Sequence, residues 1–583
     1  MGALKPAVAL LSKFPWLVDV RSEIADLLIR ILKVSISPLY ESLLITKERN
    51  PSFAHPKARY GLSGISYPPP RKPILTLWTP TPPSTYTTDF VFFFPDWVDR
   101  VPISTSLDDL ENVIEPLVRF VGIHISRDPL FLTKFLRLGR LHLQPTIPND
   151  TDSKKPTGEL HSEHPVRQFW FTVLRRYLLP ALPLIRGNAV CTVEVWNIIR
   201  QYETVARWRL YGEWKDHTYR SHPELRIRAV QADRESKGIL RRLALNTIDS
   251  LSGPVAKLAH SNPCILFQNA VNQIMAYENL ATVVIQALRY VTNMGFDVLV
   301  FIILGAFANP AKERVKDDGV NTSDWLQSTL VNTLRDKLLT TLFLGLASFT
   351  GMLFRRYSAD LTPVLKYIVH QLYNGQATEI VVLRELIWKM AGIEPLPSLS
   401  ESQMAAMAGG PSLRIEAIAS EARGAKLDPA DAMLKGPLRL GKGLLESSLA
   451  LPLLIQVAQQ RQACVFKAPN AHLKSLAGLY DAVSCRFLFL SLNNYFLQTH
   501  GVLLQYLELL TSPEDHATKV LPSLAELNQA YGICAPICMH IIRPVLHSSL
   551  LVRSSKFNIL SVTIESILGV GPVFAGTSRT PCH

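Results

Sequence analysis

With 583 residues, 48% hydrophobic and 19% charged, the chain exceeds what one compact core can hold and is too apolar to be disordered. Its length points to roughly three to five packed units. The formal charge of +13 favours anionic partners, either nucleic acid or an acidic protein face. Lysines and arginines that merely solvate long helices would give the same balance, because no dense block of like charge occurs.

In chain order, the opening MGALKPAVALLSKF holds an apolar run of only Ala7–Leu11, too short for a signal-peptide core. Gly2 is followed by Pro6 where a myristoylation signal wants Ser or Thr. Seven cysteines (Cys191, Cys264, Cys464, Cys485, Cys534, Cys538, Cys582) lie too far apart for a secreted disulfide framework and suit a reducing compartment. The proline-rich stretch 67–84 (YPPPRKPILTLWTPTPPS) breaks any helix. The polar stretch 144–164 reads as an exposed loop. Its His161, Glu163 and His164 make poor metal ligands there.

The middle of the chain carries three unusual words: YGEWKDHTYRSHPEL (Tyr211–Leu225), KLAHSNP (Lys257–Pro263) and FANPAKERVKDDG (Phe307–Gly319). Tyr211 and Trp214 suit core anchors at a helix junction. His217 and His222 flank Tyr219 with no carboxylate at helical spacing to hold them as ligands. Arg220, Arg226, Arg228, Arg234, Lys237, Arg241 and Arg242 outnumber Glu224, Asp233 and Glu235 over 220–242. They form either a grip for phosphate or carboxylate or a solvated helix face. Val284, Leu288, Val291, Val298 and Ile302 recur at three-, four- or seven-residue steps. Gln286, Arg289, Asn293 and Asp297 mark another face, so 282–304 is expected to form one amphipathic helix. The loop 309–318, with Lys312, Arg314 and Lys316, suits partner docking.

Further on, 338–354 is apolar and uncharged between Lys337 and Arg355. As a helix it would span about 26 Å, short of a bilayer core of about 30 Å, and its Thr, Ser and Gly fit a buried helix. Arg355-Arg356-Tyr357 closes it, either capping carbonyls or meeting an acidic partner. Thr362-Pro363 opens a helix with Leu365, Ile368, Val369 and Leu372 on one face, stopped at Asn374-Gly375. A second helix, with Ile380, Leu383, Ile387 and Met390, ends at Gly392, making an antiparallel hairpin. Two looser stretches, 395–411 and 421–440, precede a last helical block. The run Gly436-Pro-Leu-Arg-Leu-Gly441-Lys442-Gly443 resembles a phosphate-binding loop, but Gly443 replaces the magnesium-binding hydroxyl and no buried strand precedes it. Cys534, Cys538 and His540 lack a second ligand pair for zinc. No catalytic, cofactor or metal motif emerges, and the expectation is a non-enzyme without a small-molecule substrate.

The three words, in that order, resemble the THO complex subunit 2 family. The resemblance extends through WLQ (Trp325–Gln327), LASFTGMLFRRY (Leu346–Tyr357), ELIWKMAGIE (Glu385–Glu394) and LALPLLIQVAQQR (Leu449–Arg461), with VGIHISRDPLFLTKFLRLGR (Val121–Arg140) upstream. The insertion 328–345, the proline-rich 67–84 and the tail after Leu551 depart from the family pattern, and the chain reads as a central fragment. The resemblance implies an all-α fold, an elongated irregular solenoid of helical hairpins. It divides into an N-terminal block (1–215), a middle block like the middle domain of translation initiation factor 4G (216–425) and the start of a following solenoid block (426–583). It also implies a nuclear scaffold of the THO/TREX assembly. Such a scaffold binds other THO subunits, docks a DEAD-box RNA helicase and meets nascent mRNA, with no membrane and no cofactor. The alternative from charge alone is a basic helical-repeat protein that binds RNA or DNA directly. The candidate contact residues are Arg220, Arg226, Arg228, Arg234, Arg241, Arg242, Lys312, Arg314, Lys316, Arg355 and Arg356.

Overall fold

The computed structural model describes residues 4–48, 59–60, 66–67, 101–144, 164–277, 279–308, 345–375, 379–393, 429–470, 499–510 and 521–543. These fall into two compact units, Met1–Gly319 and Val320–His583. Among the described residues the fold is all-α, apart from a two-residue antiparallel pair, Arg59–Tyr60 against Ser66–Tyr67. The loop 309–318, the tail after Leu551 and nearly all of the insertion 328–345, of 67–84 and of 144–164 lie outside the described residues.

The first unit begins with α1 (Leu4–Lys13), α2 (Leu17–Val20) and α3 (Ser22–Glu48), followed by α4 (Glu115–Val121), α5 (Pro129–Leu143) and α6 (Pro165–Val173). After the short α7 (Leu179–Ala181) come α8 (Ala189–Ile199), α9 (Thr204–Glu213), α10 (Tyr219–Ser221) and α11 (Pro223–Arg242). It closes with α12 (Ile248–Ser261), α13 (Pro263–Ala276), α14 (Leu280–Ala287) and α15 (Asn293–Phe307). Neighbouring helices pair: α5 lies on α8, α11 on α13, α12 on α14, and α13 on α15. Helix starts follow a local rule. His164 and His222 each precede a proline at the first helical position, and each turns its ring Nδ1 to accept a backbone N–H two residues on, from Val166 (3.3 Å) and Glu224 (3.2 Å). His164 is therefore a helix cap.

The single helix expected over 282–304 is two. α14 ends in a 3-10 turn, Leu288–Tyr290, and the chain extends at Val291 before α15 starts. The apolar face is as expected, with Val284, Leu288, Val291, Val298 and Ile302 all buried. Asp297 is not on a solvated face: it is 7% exposed. It tolerates burial because Arg207 Nε lies 3.2 Å from its Oδ2 and the Tyr211 hydroxyl donates to it at 2.8 Å. A charge is stable inside only when it is paired and hydrogen-bonded.

In the second unit, a helix over 345–356 (α16) buries Leu346, Phe349, Leu353 and Phe354. No single described helix is long and apolar enough to cross a membrane. α17 (Thr362–Tyr373) and α18 (Ile380–Ala391) form the expected hairpin, stopped by Gly375 at φ +79° and Gly392 at φ +72°. The start of α17 is capped by Asp360, which accepts from the Thr362 amide, rather than by Thr362 itself. α19 (Pro429–Glu446) packs on α18, and α20 (Ala450–Asn470) on α17.

Candidate functional site

The Gly436–Gly443 run is excluded as a phosphate loop by its conformation. It lies inside α19, where backbone N–H groups are spent on the helix rather than turned toward a ligand. A Cβ at Gly436 would stand 2.4 Å from the Met390 carbonyl oxygen, so this glycine serves close helix packing. Of the suggested zinc ligands, Cys538 is buried with its Sγ 3.3 Å from the Ile533 carbonyl, and exposed His540 lies against the His500 ring instead.

The sequence words are joints. Tyr211 and Trp214 are buried, as their type and place suggested. The Tyr211 hydroxyl ties α9 to Asp297 of α15 at 2.8 Å. Burial and the Asp297 charge push that phenol well above its usual range. The Tyr219 hydroxyl donates to Asn262 Oδ1 of KLAHSNP at 3.2 Å, a link between two of the three words. His222 does meet a carboxylate, though one supplied by Asp19, far earlier in the chain. Asp19 Oδ1 lies 3.3 Å from His222 Nε2 and 2.9 Å from His124 Nε2. Helical spacing could not reveal that contact. The three groups lie close enough to surround a cation, but the hydrogen bonding of His222 opposes it. Its Nδ1 accepts from the Glu224 amide, so Nε2 carries the proton that points at Asp19. A metal-bound imidazole instead donates its other nitrogen. The cluster fastens three chain segments.

The basic residues over 220–242 divide by role. Arg226 gives its guanidinium to the Arg220 carbonyl at 2.9 and 2.8 Å, closing the turn between α10 and α11. Arg228 bridges the Pro183 carbonyl (3.2 Å) and both carboxylate oxygens of Glu235 (3.1 and 3.4 Å). Arg220, Arg234, Arg241 and Arg242 are exposed. Lys312, Arg314 and Lys316 lie outside the described residues. Arg355 and Arg356 belong to the second unit, where Arg356 stacks on Tyr357 at 5.8 Å. The last carbonyls of α16 are capped from elsewhere, by Arg439 of α19, which donates to Phe354 O and Tyr357 O at 2.8 Å each.

Alongside α11, residues Pro183–Gly187, α11 and α12 enclose an open groove of about 900 Å³. Buried Pro183, Ile185, Ile239 and Leu258 form its floor, and Arg186, Lys257 and Arg242 are exposed at its edge. The site is thus a groove with an aliphatic floor and a charged rim on packed helices.

Two family models match in succession: THO complex subunit 2 N-terminus over residues 1–252, and Transcription- and export-related complex subunit over 255–329. The chain belongs to the THO complex subunit 2 family. It is 35% identical to THO complex subunit 2 of Homo sapiens over 379 residues, which is 64% of this chain and 22% of that protein. The Arabidopsis thaliana protein of the same name is 33% identical over 454 residues, 76% of this chain and 23% of its own length. For Saccharomyces cerevisiae the figures are 25% over 416 residues, 71% and 24%. The chain thus spans less than a quarter of these relatives.

Proposed function

We propose that this chain is a non-catalytic scaffold segment of a nuclear THO/TREX assembly, coupling transcription to mRNP assembly and mRNA export. It organises the other THO subunits and docks the DEAD-box RNA helicase, which carries the ATP chemistry. Its middle block, by this reading, is akin to the middle domain of translation initiation factor 4G. The observation that carries the proposal is the succession of two THO-type family matches across more than half of the chain. The buried joints among the sequence words support it, because they spend their polar residues on architecture. The helicase's ATPase rate, measured with and without the full chain after co-purification, tests the docking. Binding with a changed rate is expected. Absence of both would remove the docking assignment. A fragment starting at residue 220 is unsuitable, since it separates α9 from α15.

Direct RNA or DNA binding is the second reading, and the charge of +13 favours it. Arg226 and Arg228 count against it, being engaged within the fold. A salt titration of RNA affinity separates the two, because several phosphate contacts give a steep fall with ionic strength.

A further inference from the structure

α11 presents Glu224, Ile227, Gln231, Glu235, Ile239 and Arg242 to the groove, at steps of three or four residues that form one stripe. Facing it, α12 presents Pro254, Lys257, Leu258 and Ser261, again one stripe. From Glu224 to Arg242 the groove runs about 27 Å at about 1.5 Å per residue, roughly five helical turns. Two helix ridges with such a space between them leave the seat of a third helix. Gly187, at φ +48°, brings the 183–187 segment to the base of Lys257, where a Cβ would stand 3.1 Å from the lysine's own Cβ.

Charge selects the occupant. Glu235 and Arg228 neutralise each other. Glu224 sits in the first turn of α11, where the helix dipole favours it. Exposed Arg186, Arg242 and Lys257 remain, while Ile227, 60% exposed, offers an apolar lip beside the buried floor. A nucleic acid fits poorly, because no aromatic ring lines the groove for base stacking. Building on the scaffold reading, we propose that this groove seats an acidic amphipathic helix of a protein partner in the assembly. Its apolar residues, recurring at three- and four-residue steps from i to about i+11, span the roughly 18 Å between Ile227 and Ile239 and lie over these two and Leu258. Its flanking carboxylates meet Arg186, Arg242 and Lys257.

The test uses the full chain co-expressed with the other THO subunits, carrying Ile227→p-benzoylphenylalanine, irradiated, with products read by peptide mass spectrometry. The expected product joins residue 227 to a net-acidic segment of a subunit with that apolar spacing. Lys257→Glu with Arg242→Glu should lower its yield about tenfold, because two attractive charge pairs become repulsive. Arg176→Glu, exposed and outside the groove, should leave it unchanged. All three positions are exposed, so unchanged circular dichroism confirms that the variants fold. A product with RNA, with a second copy of the chain, or with a basic or unpatterned segment overturns the proposal. So does co-purification without any product. A chain that co-purifies with no subunit removes the scaffold reading and the occupant with it.

Discussion

Replacing Asp297 with alanine should destabilise the first unit severely. Arg207 and Asp297 have side chains only 10% and 6% exposed, with Nε to Oδ2 at 3.2 Å, NH2 to Oδ1 at 3.3 Å and the Tyr211 hydroxyl to Oδ2 at 2.8 Å. Removing the carboxylate strands a guanidinium in the interior, and breaking one side of a buried pair costs about 3–5 kcal/mol. Arg207 keeps its bond to the Tyr202 carbonyl and its place over the Trp196 ring, so the lower half of that range, about 3–4 kcal/mol, is expected. With a urea m-value of about 3 kcal/mol/M for a unit of this size, the midpoint falls by about 1 M. Tryptophan fluorescence of the full chain in urea reads it, because Trp170, Trp196, Trp208 and Trp214 all lie in the first unit. Tyr211→Phe should cost less, about 1–2 kcal/mol, since the ion pair survives. The double change Arg207→Met with Asp297→Leu should recover most of the loss, as apolar replacement of a buried pair is often near neutral. A loss under 1 kcal/mol for Asp297→Ala would refute the reasoning, because it would mean the pair is solvated.

Four further outcomes follow from packing and burial. Gly139→Ala should cost about 3 kcal/mol in chemical denaturation, because its Cβ would stand 2.5–2.7 Å from the buried Trp170 ring. Gly238→Ala, with nothing within 4 Å, should instead stabilise by about 0.5–1 kcal/mol. In native protein at pH 8, mass spectrometry after thiol alkylation should find Cys264 and Cys191 protected. Burial pushes the Cys264 thiol up to about 12 and raises Cys191 as well, so thiolate at Cys264 is about one part in ten thousand. Melting temperature should fall as pH drops below about 6.5. Burial depresses His142 and His260 in the folded state, so below the ordinary histidine range the unfolded chain takes up protons the folded chain refuses. Their stability is complete above that pH and lost beneath it, at up to about 1.4 kcal/mol per pH unit per proton. His260→Gln should flatten the slope, and an unchanged slope would count against the assignment.

The α17–α18 hairpin was legible because each helix carries an apolar face in a 3.6-residue rhythm and a glycine stop, signals confined to a dozen neighbouring residues. Tyr211 and Trp214 were legible as anchors by size and type. Asp297 was not, because its burial depends on Arg207, ninety residues earlier, and a carboxylate at helical spacing reads as solvated without that partner. His222 posed the same difficulty, with its carboxylate lying two hundred residues away at Asp19. The groove was only half legible. The cations of α11 stood out in sequence, but Arg226 turns back to the Arg220 carbonyl, Arg228 divides between Glu235 on its own helix and the Pro183 carbonyl opposite, and Arg242 borders a groove completed by 183–187 and α12. Periodicity along one helix carries no information about them.

The central claim is that this chain works by assembling proteins. Size-exclusion chromatography with light scattering, on the full chain co-expressed with the other THO subunits and treated with nuclease, tests it most directly. The account predicts a stoichiometric complex that persists after RNA is digested. A chain that elutes alone once RNA is removed, while binding RNA on its own, would contradict it.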